Sequence, residues 1–168
     1  MPNEPYQPKV IEHFKNPHNF GKMENPDGVG KVGNIICGDV MWVYIKVGKK
    51  KGQEIIEDIK FETLGCVAAV ATSSMITDLA KGKSLKEAQA IDRKDIVDSL
   101  GGLPSPKIHC SVLASDALGE AIYDYLSREK RKIPASLRKR HKRIQKELKT
   151  IEERYKEYEQ LRKDVLEK

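Results

Sequence analysis

The order of apolar and polar positions predicts a mixed α/β fold. Residues 6–14, YQPKVIEHF, have apolar side chains at the spacing of a short amphipathic helix. After an Asn-, Pro- and Gly-rich stretch that predicts a loop, the runs 33–39, 40–47 and 55–63 are rich in β-branched residues and predict three strands. Because helical patterns follow the strands, we expect an α+β domain.

Four further stretches predict helices through periodic apolar residues or a capping residue. They are 67–80, 84–91, 93–100 and a stretch from about 105 to 127. Ser84 and Asp92 stand where their side-chain oxygens can accept hydrogen bonds from the first helical turn. The strand-then-helix order therefore holds up to residue 127.

The residues beyond Pro134 predict one long helix with an apolar seam. Seven apolar or aromatic residues recur every three or four positions: Leu137, Ile144, Leu148, Ile151, Tyr155, Tyr158 and Val165. His141 and Arg162 occupy the two remaining positions of the seam. We therefore divide the chain into a domain over 1–127 and a helical extension over 128–168. The seam can dock on the domain or pair with a second copy, and we favour self-association in a homodimer.

The positive charge of the protein belongs to this extension. The net charge is +6, yet residues 128–168 hold 16 Lys and Arg against 8 Asp and Glu, which leaves 15 against 17 for residues 1–127. A basic run of this kind is usually a solvated helix face. A nucleic-acid-binding module built on the extension therefore remains an alternative, but nucleic acid is not the partner we expect.

The sequence favours a cytoplasmic protein with reduced thiols. It has no apolar run long enough to span a membrane, and its first ten residues lack the apolar core of a secretory signal. The three cysteines include no C-x-x-C pair. This pattern argues against a disulfide framework and against a two-pair zinc ribbon.

The cysteines lie where metal chemistry is plausible. Cys37 and Asp39 are two residues apart, so an extended chain would place both on one face. Cys66 lies at a predicted switch from strand to helix, and Cys110 follows His109 near a predicted helix start, where the helix dipole favours a thiolate. These groups suit zinc or an iron–sulfur cluster. Taken singly, each cysteine is equally well a structural residue. Asp39 alone is more typical of a turn or a cap and His109 alone of a surface histidine, the interpretation that we also keep for His13, His18 and His141.

Four motifs resemble a known family. They are CGD at 37–39, GC at 65–66, KGKSLKEAQAI at 81–91 and KIHCSVLASDAL at 107–118. Together and in this order they are similar to the U-type iron–sulfur cluster scaffolds, IscU and the N-terminal domain of NifU, over roughly residues 4–127. The resemblance implies a small three-stranded antiparallel sheet packed against helices, to which this chain adds the long C-terminal helix. It also implies a scaffold protein and not an enzyme.

The resemblance implies a site and a set of partners. Cys37, Cys66 and Cys110 would be cluster ligands, Asp39 or His109 the fourth ligand, and Lys107 a nearby cation. The scaffold would build a [2Fe-2S] cluster from ferrous iron and sulfur from a cysteine desulfurase, with an electron donor such as ferredoxin, and pass it to apo acceptor proteins. Zinc is expected as a substitute in purified protein. An Hsp70-type chaperone is not expected, because LPSPK at 103–107 departs from the family's usual L-P-P-V-K.

A second interpretation uses the same cysteines differently. A zinc-bound sulfur acceptor would hold its metal tightly through Cys37, Asp39, Cys66 and Cys110 and receive persulfide sulfur from a desulfurase. The chain lacks the long insertion between Cys66 and Cys110 that is typical of the zinc-dependent SufU branch, which favours the scaffold.

Overall fold

The computed structural model describes residues 5–34 and 38–167. In chain order its elements are α1 (Pro8–Lys15), β1 (Gly28–Gly33), β2 (Val40–Lys50), β3 (Gln53–Leu64), α2 (Val67–Ala80), α3 (Leu85–Gln89), α4 (Arg93–Ser99), a 3-10 turn (Ser105–Lys107), α5 (His109–Arg128) and α6 (Ala135–Leu166). The strands form one antiparallel sheet in the order β1-β2-β3. Helix α5 packs on β1 and β2, and α2 packs on β3 and α5. The predicted α+β class, with its three-stranded antiparallel sheet and long C-terminal helix, is confirmed.

The first strand lies earlier than the sequence predicts. It occupies Gly28–Gly33, inside the stretch predicted to be a loop, whereas the predicted strand at 33–39 includes three residues outside the described ranges. The reason is a close approach to α5: a Cβ on Gly30 would lie 2.0 Å from the Ala117 carbonyl oxygen. The glycines that suggest a loop are therefore what allows this strand to pack against the helix.

The residues around Asp39 form a tight loop and not an extended strand. The Gly38 N–H donates to the Asn34 carbonyl oxygen, and the Asn34 N–H donates to that of Asp39, both at 2.9 Å. Gly38 has a φ of +72°, in the left-handed region that favours glycine. Our expectation of an extended chain leading into Asp39 is therefore wrong at Gly38.

The β2–β3 hairpin explains an irregular sequence pattern. Its turn has Lys51 at φ +50° and Gly52 at φ +76°, as in a two-residue type I′ turn. The pairing shifts between Lys46 and Val47, so that Glu57 is an extra residue in β3. Because this bulge reverses the alternation, Ile56 and Ile59 are both buried.

The helix predictions hold closely. Helix α2 spans the predicted 67–80, and α3 and α4 each begin with a capping box, Ser84 with Glu87 and Asp92 with Asp95. Helix α5 begins at His109, directly after the 3-10 turn. Among the described helices, none combines the length and the apolar character needed to cross a membrane.

The first half of α6 docks on the domain. Leu137 and Ile144 are 2% and 1% exposed and belong to the main core. Two buried carboxylates of α5 add polar contacts. Arg143 Nη2 donates to both carboxylate oxygens of Asp116, at 2.9 and 3.0 Å, and Glu120 accepts a hydrogen bond from His141 at 2.9 Å. The stacking of His141 on Tyr123, with ring centroids 3.8 Å apart, completes the docking surface.

Beyond residue 151 the helix leaves the domain. Residues 152–167 are exposed, including Tyr155, Tyr158 and Val165 of the predicted seam. The seam thus has two parts, a first half that contacts α5 and β1 and a second half that faces solvent.

Candidate metal centre

Three separate elements bring a carboxylate and two thiols to one end of the domain. Asp39 immediately precedes β2, Cys66 is the N-cap residue of α2, and Cys110 lies in the first turn of α5. The two sulfur atoms are 3.8 Å apart, and Asp39 Oδ2 lies 3.8 Å from Cys66 Sγ and 3.9 Å from Cys110 Sγ. Three of the groups selected from the sequence therefore converge.

The spacing of these donors fits a metal ion. Two thiolates at about 2.3 Å from a tetrahedral ion lie about 3.8 Å from each other. The observed separation of the Cys66 and Cys110 sulfur atoms is also 3.8 Å. Two soft sulfur donors and one hard oxygen suit zinc or iron.

Gly65 makes room for the Asp39 carboxylate. A Cβ on Gly65 would lie 3.0 Å from Asp39 Cγ and 2.8 Å from the Cβ of Ala69. Asp39 is itself only 6% exposed. A side chain at position 65 would therefore displace the carboxylate from the two sulfur atoms.

The floor of the site is apolar and belongs to α2 and α5. Cys110 is fully buried and packs with Ala68 and Ala69, whereas Cys66 is partly exposed. Thr72 Oγ1 lies 2.8 Å from the Ala68 carbonyl oxygen and 3.2 Å from that of Cys110, which ties the first turns of the two helices together. The relative positions of the two thiols are thus set by helix packing.

His109 and Lys107 stand beside the thiols. His109 Nε2 is 3.6 Å from Cys110 Sγ. The negative charge of a Cys66 thiolate is the largest cause that raises the pKa of Lys107, followed by the charge of Tyr6 and, more weakly, by Cys110 and Asp39. Lys107 is therefore close enough to favour the anionic form of this site.

Tyr6 is a neighbour of the site that sequence reasoning missed. It packs against the cluster of Ala68, Ala69 and Cys110. Burial raises the pKa of Tyr6, and the charge of Cys66 raises it further. A single tyrosine ahead of a short helix carries no sequence signal for this role, because only the fold brings the chain start to α2.

The roles of all six predicted site residues stay predictions. The structure shows where Asp39, Cys66, Cys110, His109 and Lys107 lie, and Cys37 is outside the described residues.

The family follows from comparison with known proteins. Residues 5–132 match the family model described as NifU-like N terminal domain. The chain belongs to this family. The match contains the whole sheet and α1 to α5 and ends before α6, so the long helix is an addition to the NifU-like domain.

Curated relatives of the NifU-like domain are close in sequence. The protein from Archaeoglobus fulgidus named iron-sulfur cluster assembly scaffold protein IscU 1 is 58% identical over 120 residues, 71% of this chain and 76% of the relative. The Escherichia coli (strain K12) protein named iron-sulfur cluster assembly scaffold protein IscU is 51% identical over 130 residues, 76% of this chain and 98% of the relative. Both names denote scaffold proteins and not enzymes, in agreement with the sequence prediction.

Solved structures share the fold. A crystal structure described as a hypothetical protein is 33% identical, with a TM-score of 0.55 over 68% of this chain and 94% of that one. A putative iron-sulfur cluster assembly scaffold protein for the SUF system from Fervidobacterium islandicum is 22% identical, with a TM-score of 0.57 over 73% of this chain and 99% of that one. At 22% identity, the second likeness is evidence of the fold alone.

Proposed function

We propose that this protein is a scaffold on which a [2Fe-2S] cluster is assembled and from which it is transferred. The observation that carries the proposal is the convergence of Asp39, Cys66 and Cys110, whose donor atoms all lie within 4.8 Å of one another. Relatives at 51% and 58% identity that bear the name of iron–sulfur scaffolds support it. The cluster is cargo of this site and not a permanent cofactor.

Each donor has a proposed role. Cys37, Cys66 and Cys110 are the thiolate ligands, and Asp39 is the fourth, with His109 as its alternative. A carboxylate is a hard ligand among soft thiolates and binds iron less firmly, so Asp39 keeps the cluster transferable. Two observations support this role: its oxygen lies 3.8 Å from Cys66 Sγ, and a small residue, Gly65, leaves the space it occupies.

Assembly requires partners. A cysteine desulfurase supplies sulfur at the persulfide level, and each such sulfur must gain a pair of electrons to become sulfide. An electron donor such as ferredoxin is therefore required, and an apo acceptor protein removes the finished cluster. Lys107 is suited to stabilise the negative charge of thiolate and persulfide, because its own pKa is raised by Cys66.

A zinc-bound sulfur acceptor is the second candidate. The 3.8 Å separation of the two sulfur atoms, which matches thiolates bound to a single tetrahedral ion, favours it as a state of the same site. The two functions differ in what the thiols hold during turnover, a labile cluster or a permanent zinc ion.

Metal analysis distinguishes the two. The protein is purified anaerobically, incubated with a cysteine desulfurase, cysteine and ferrous iron, and followed by its visible spectrum and by its iron, sulfide and zinc contents. Equal iron and sulfide, [2Fe-2S] absorption and transfer to an apo-ferredoxin support the scaffold. Tight zinc with no cluster under any condition contradicts it and supports the sulfur acceptor.

Single substitutions test the ligand set. Cys37→Ser, Cys66→Ser and Cys110→Ser are each expected to lower cluster occupancy while the domain stays folded. Ser115→Ala on α5 is a control, because its hydroxyl bonds the Val112 carbonyl oxygen of the same helix. Full occupancy in any cysteine variant removes that residue from the proposed ligands.

We further propose that the extension over 128–168 adds a self-association surface to the domain over 1–127, and that its exposed half pairs with a second copy. Residues 152–167 mix six acidic with four basic side chains, whereas residues 135–151 hold seven Lys and Arg against one Glu. Two such near-neutral helices attract through their apolar seams without strong repulsion. Sedimentation of the full chain and of a chain ending at Ile151 tests this by giving the number of chains per particle. The same number of chains per particle in both proteins would contradict the proposal.

A further inference from the structure

A second group of metal-binding side chains lies at the other end of α2 from the thiols. His13 is in the last turn of α1, His18 in the loop that follows, and Asp78 in the last turn of α2. One ring nitrogen of each histidine and one carboxylate oxygen lie within 4.8 Å of one another. Twelve helical positions between Cys66 and Asp78 correspond to about 18 Å along the axis, so the two groups are separate.

One buried hydroxyl holds both histidines. Ser74 Oγ lies 2.7 Å from His13 Nδ1 and also accepts a hydrogen bond from the main-chain N–H of His18 at 2.8 Å. The two imidazole centroids are consequently only 4.6 Å apart. A hydrogen bond on one ring nitrogen, such as that of His13 Nδ1, orients metal-binding histidines in known sites.

The loop that carries His18 is held on both sides. The Asn19 side-chain amide donates to Thr77 Oγ1 of α2 at 3.0 Å, and the Asn19 carbonyl oxygen accepts from the Phe61 N–H of β3 at 3.0 Å. The Gly21 N–H donates to the Phe61 carbonyl oxygen at 2.8 Å. The main chain directly after His18 is therefore positioned by α2 and β3.

The chemistry of the three side chains suits a transition metal. His13 is 3% exposed, so its ring lies on the protein side of the group and is shielded from water. The side chains of His18 and Asp78 are 44% and 37% exposed, so one side of the group is open to water. Zinc and ferrous iron are typically bound by two imidazoles and one carboxylate, with their other coordination positions open to water.

We propose that His13, His18 and Asp78 bind one divalent first-row transition metal ion, with water in the remaining positions. Bond lengths of about 2.0 to 2.2 Å place donors about 3.4 Å apart around a tetrahedral ion. His18 Nδ1 and Asp78 Oδ2 are now 2.6 Å apart in a hydrogen bond that the ion would replace. Small rotations of these two half-exposed side chains are sufficient. The inference uses none of the thiols and does not depend on the proposed scaffold function.

Cobalt binding by a cysteine-free protein tests the site. In the full chain with Cys37, Cys66 and Cys110 all changed to serine, a bound Co²⁺ ion has only nitrogen and oxygen ligands. Equilibrium dialysis is expected to find this ion, and its spectrum to show weak d–d bands without sulfur charge-transfer absorption. A cysteine-free protein that is folded and binds no Co²⁺ overturns the proposal.

Two variants in this background locate the ion. His18→Gln and Asp78→Asn are expected to weaken Co²⁺ binding by at least about ten-fold, because each removes a ligand. Both side chains are substantially exposed, so unchanged thermal unfolding is expected and serves as the check on folding. Glu12→Gln removes a nearby carboxylate outside the group and is expected to change binding far less. Equal Co²⁺ affinity in His18→Gln, Asp78→Asn and their parent would refute the assignment.

Discussion

The close approach of β1 and α5 makes a quantitative prediction about Gly30. A Cβ at this position would lie 2.0 Å from the Ala117 carbonyl oxygen and 2.6 Å from the Ala121 nitrogen, whereas ordinary contacts of a Cβ begin at 3.4 Å. Both obstacles are main-chain atoms of a helix, which cannot rotate away. Gly30→Ala must therefore move α5 and β1 apart by about 1.4 Å, the difference between the ordinary and the available distance.

The expected cost follows from this displacement. Overpacking of a core by one methyl group usually costs about 1 to 3 kcal/mol where side chains can adjust, so rigid main chain on both sides places Gly30→Ala at about 3 kcal/mol or more. For a chain of this size, such a loss lowers the midpoint of thermal unfolding by about 6 to 12 °C. Urea unfolding and a thermal melt of the metal-free protein measure both quantities.

Gly48→Ala is the matched control in the same sheet. The three atoms nearest to its Cβ belong to the Glu57 side chain, at 3.0 to 3.1 Å. Cδ and Oε2 of Glu57 can rotate away, and its Cβ requires a shift of only about 0.3 Å, the difference between the ordinary 3.4 Å and the available 3.1 Å. The control is expected to change the free energy of unfolding by less than about 1 kcal/mol. If Gly30→Ala and Gly48→Ala unfold with the same free energy, the reasoning from close approach is refuted.

Three further predictions concern the site, the pH dependence and α6. Asp39→Ala is expected to give a longer-lived cluster, seen as slower loss to chelators and to an apo-ferredoxin; an unchanged rate of loss contradicts the role of Asp39. The pKa of Glu54 lies below its usual 4.5, mainly because of a hydrogen bond from Arg131 and next because of one from Tyr125. The ionised carboxylate therefore stabilises the folded state fully above pH 4.5, and this stabilisation is lost as the pH falls through the lowered pKa. Glu54→Gln keeps an acceptor for Tyr125 but loses the charge. Urea unfolding should find the variant up to about 1 kcal/mol less stable than wild type at pH 6, and the difference should shrink as the pH falls below 4.5 towards the lowered pKa. A pH-independent difference argues against this linkage. A chain ending at Ile151 should melt at the temperature of the full chain under dilute conditions, because residues 152–167 are exposed, and a lower melting temperature would reveal a contact of this segment with the domain.

Local interactions are what the sequence by itself determined. The helix over 67–80 and the caps at Ser84 and Asp92 depend on neighbours within a few residues, so the pattern of the chain predicts them and the structure confirms them. The motifs around Cys66 and Cys110 also identified the family, because they combine specific residues in a fixed order.

The tertiary structure decided what depends on partners far along the chain. The sequence of Gly28–Gly33 is typical of a loop, and only its packing against α5 explains why it forms a strand. The seam of α6 changes from buried to exposed at about Ile151, because the helix extends past the domain beyond that residue. Tyr6 and the pair His13 and His18 acquire chemical neighbours only through α2, about sixty residues later. Backbone close approach and convergence of side chains arise from packing between distant segments, and no local spacing rule encodes them.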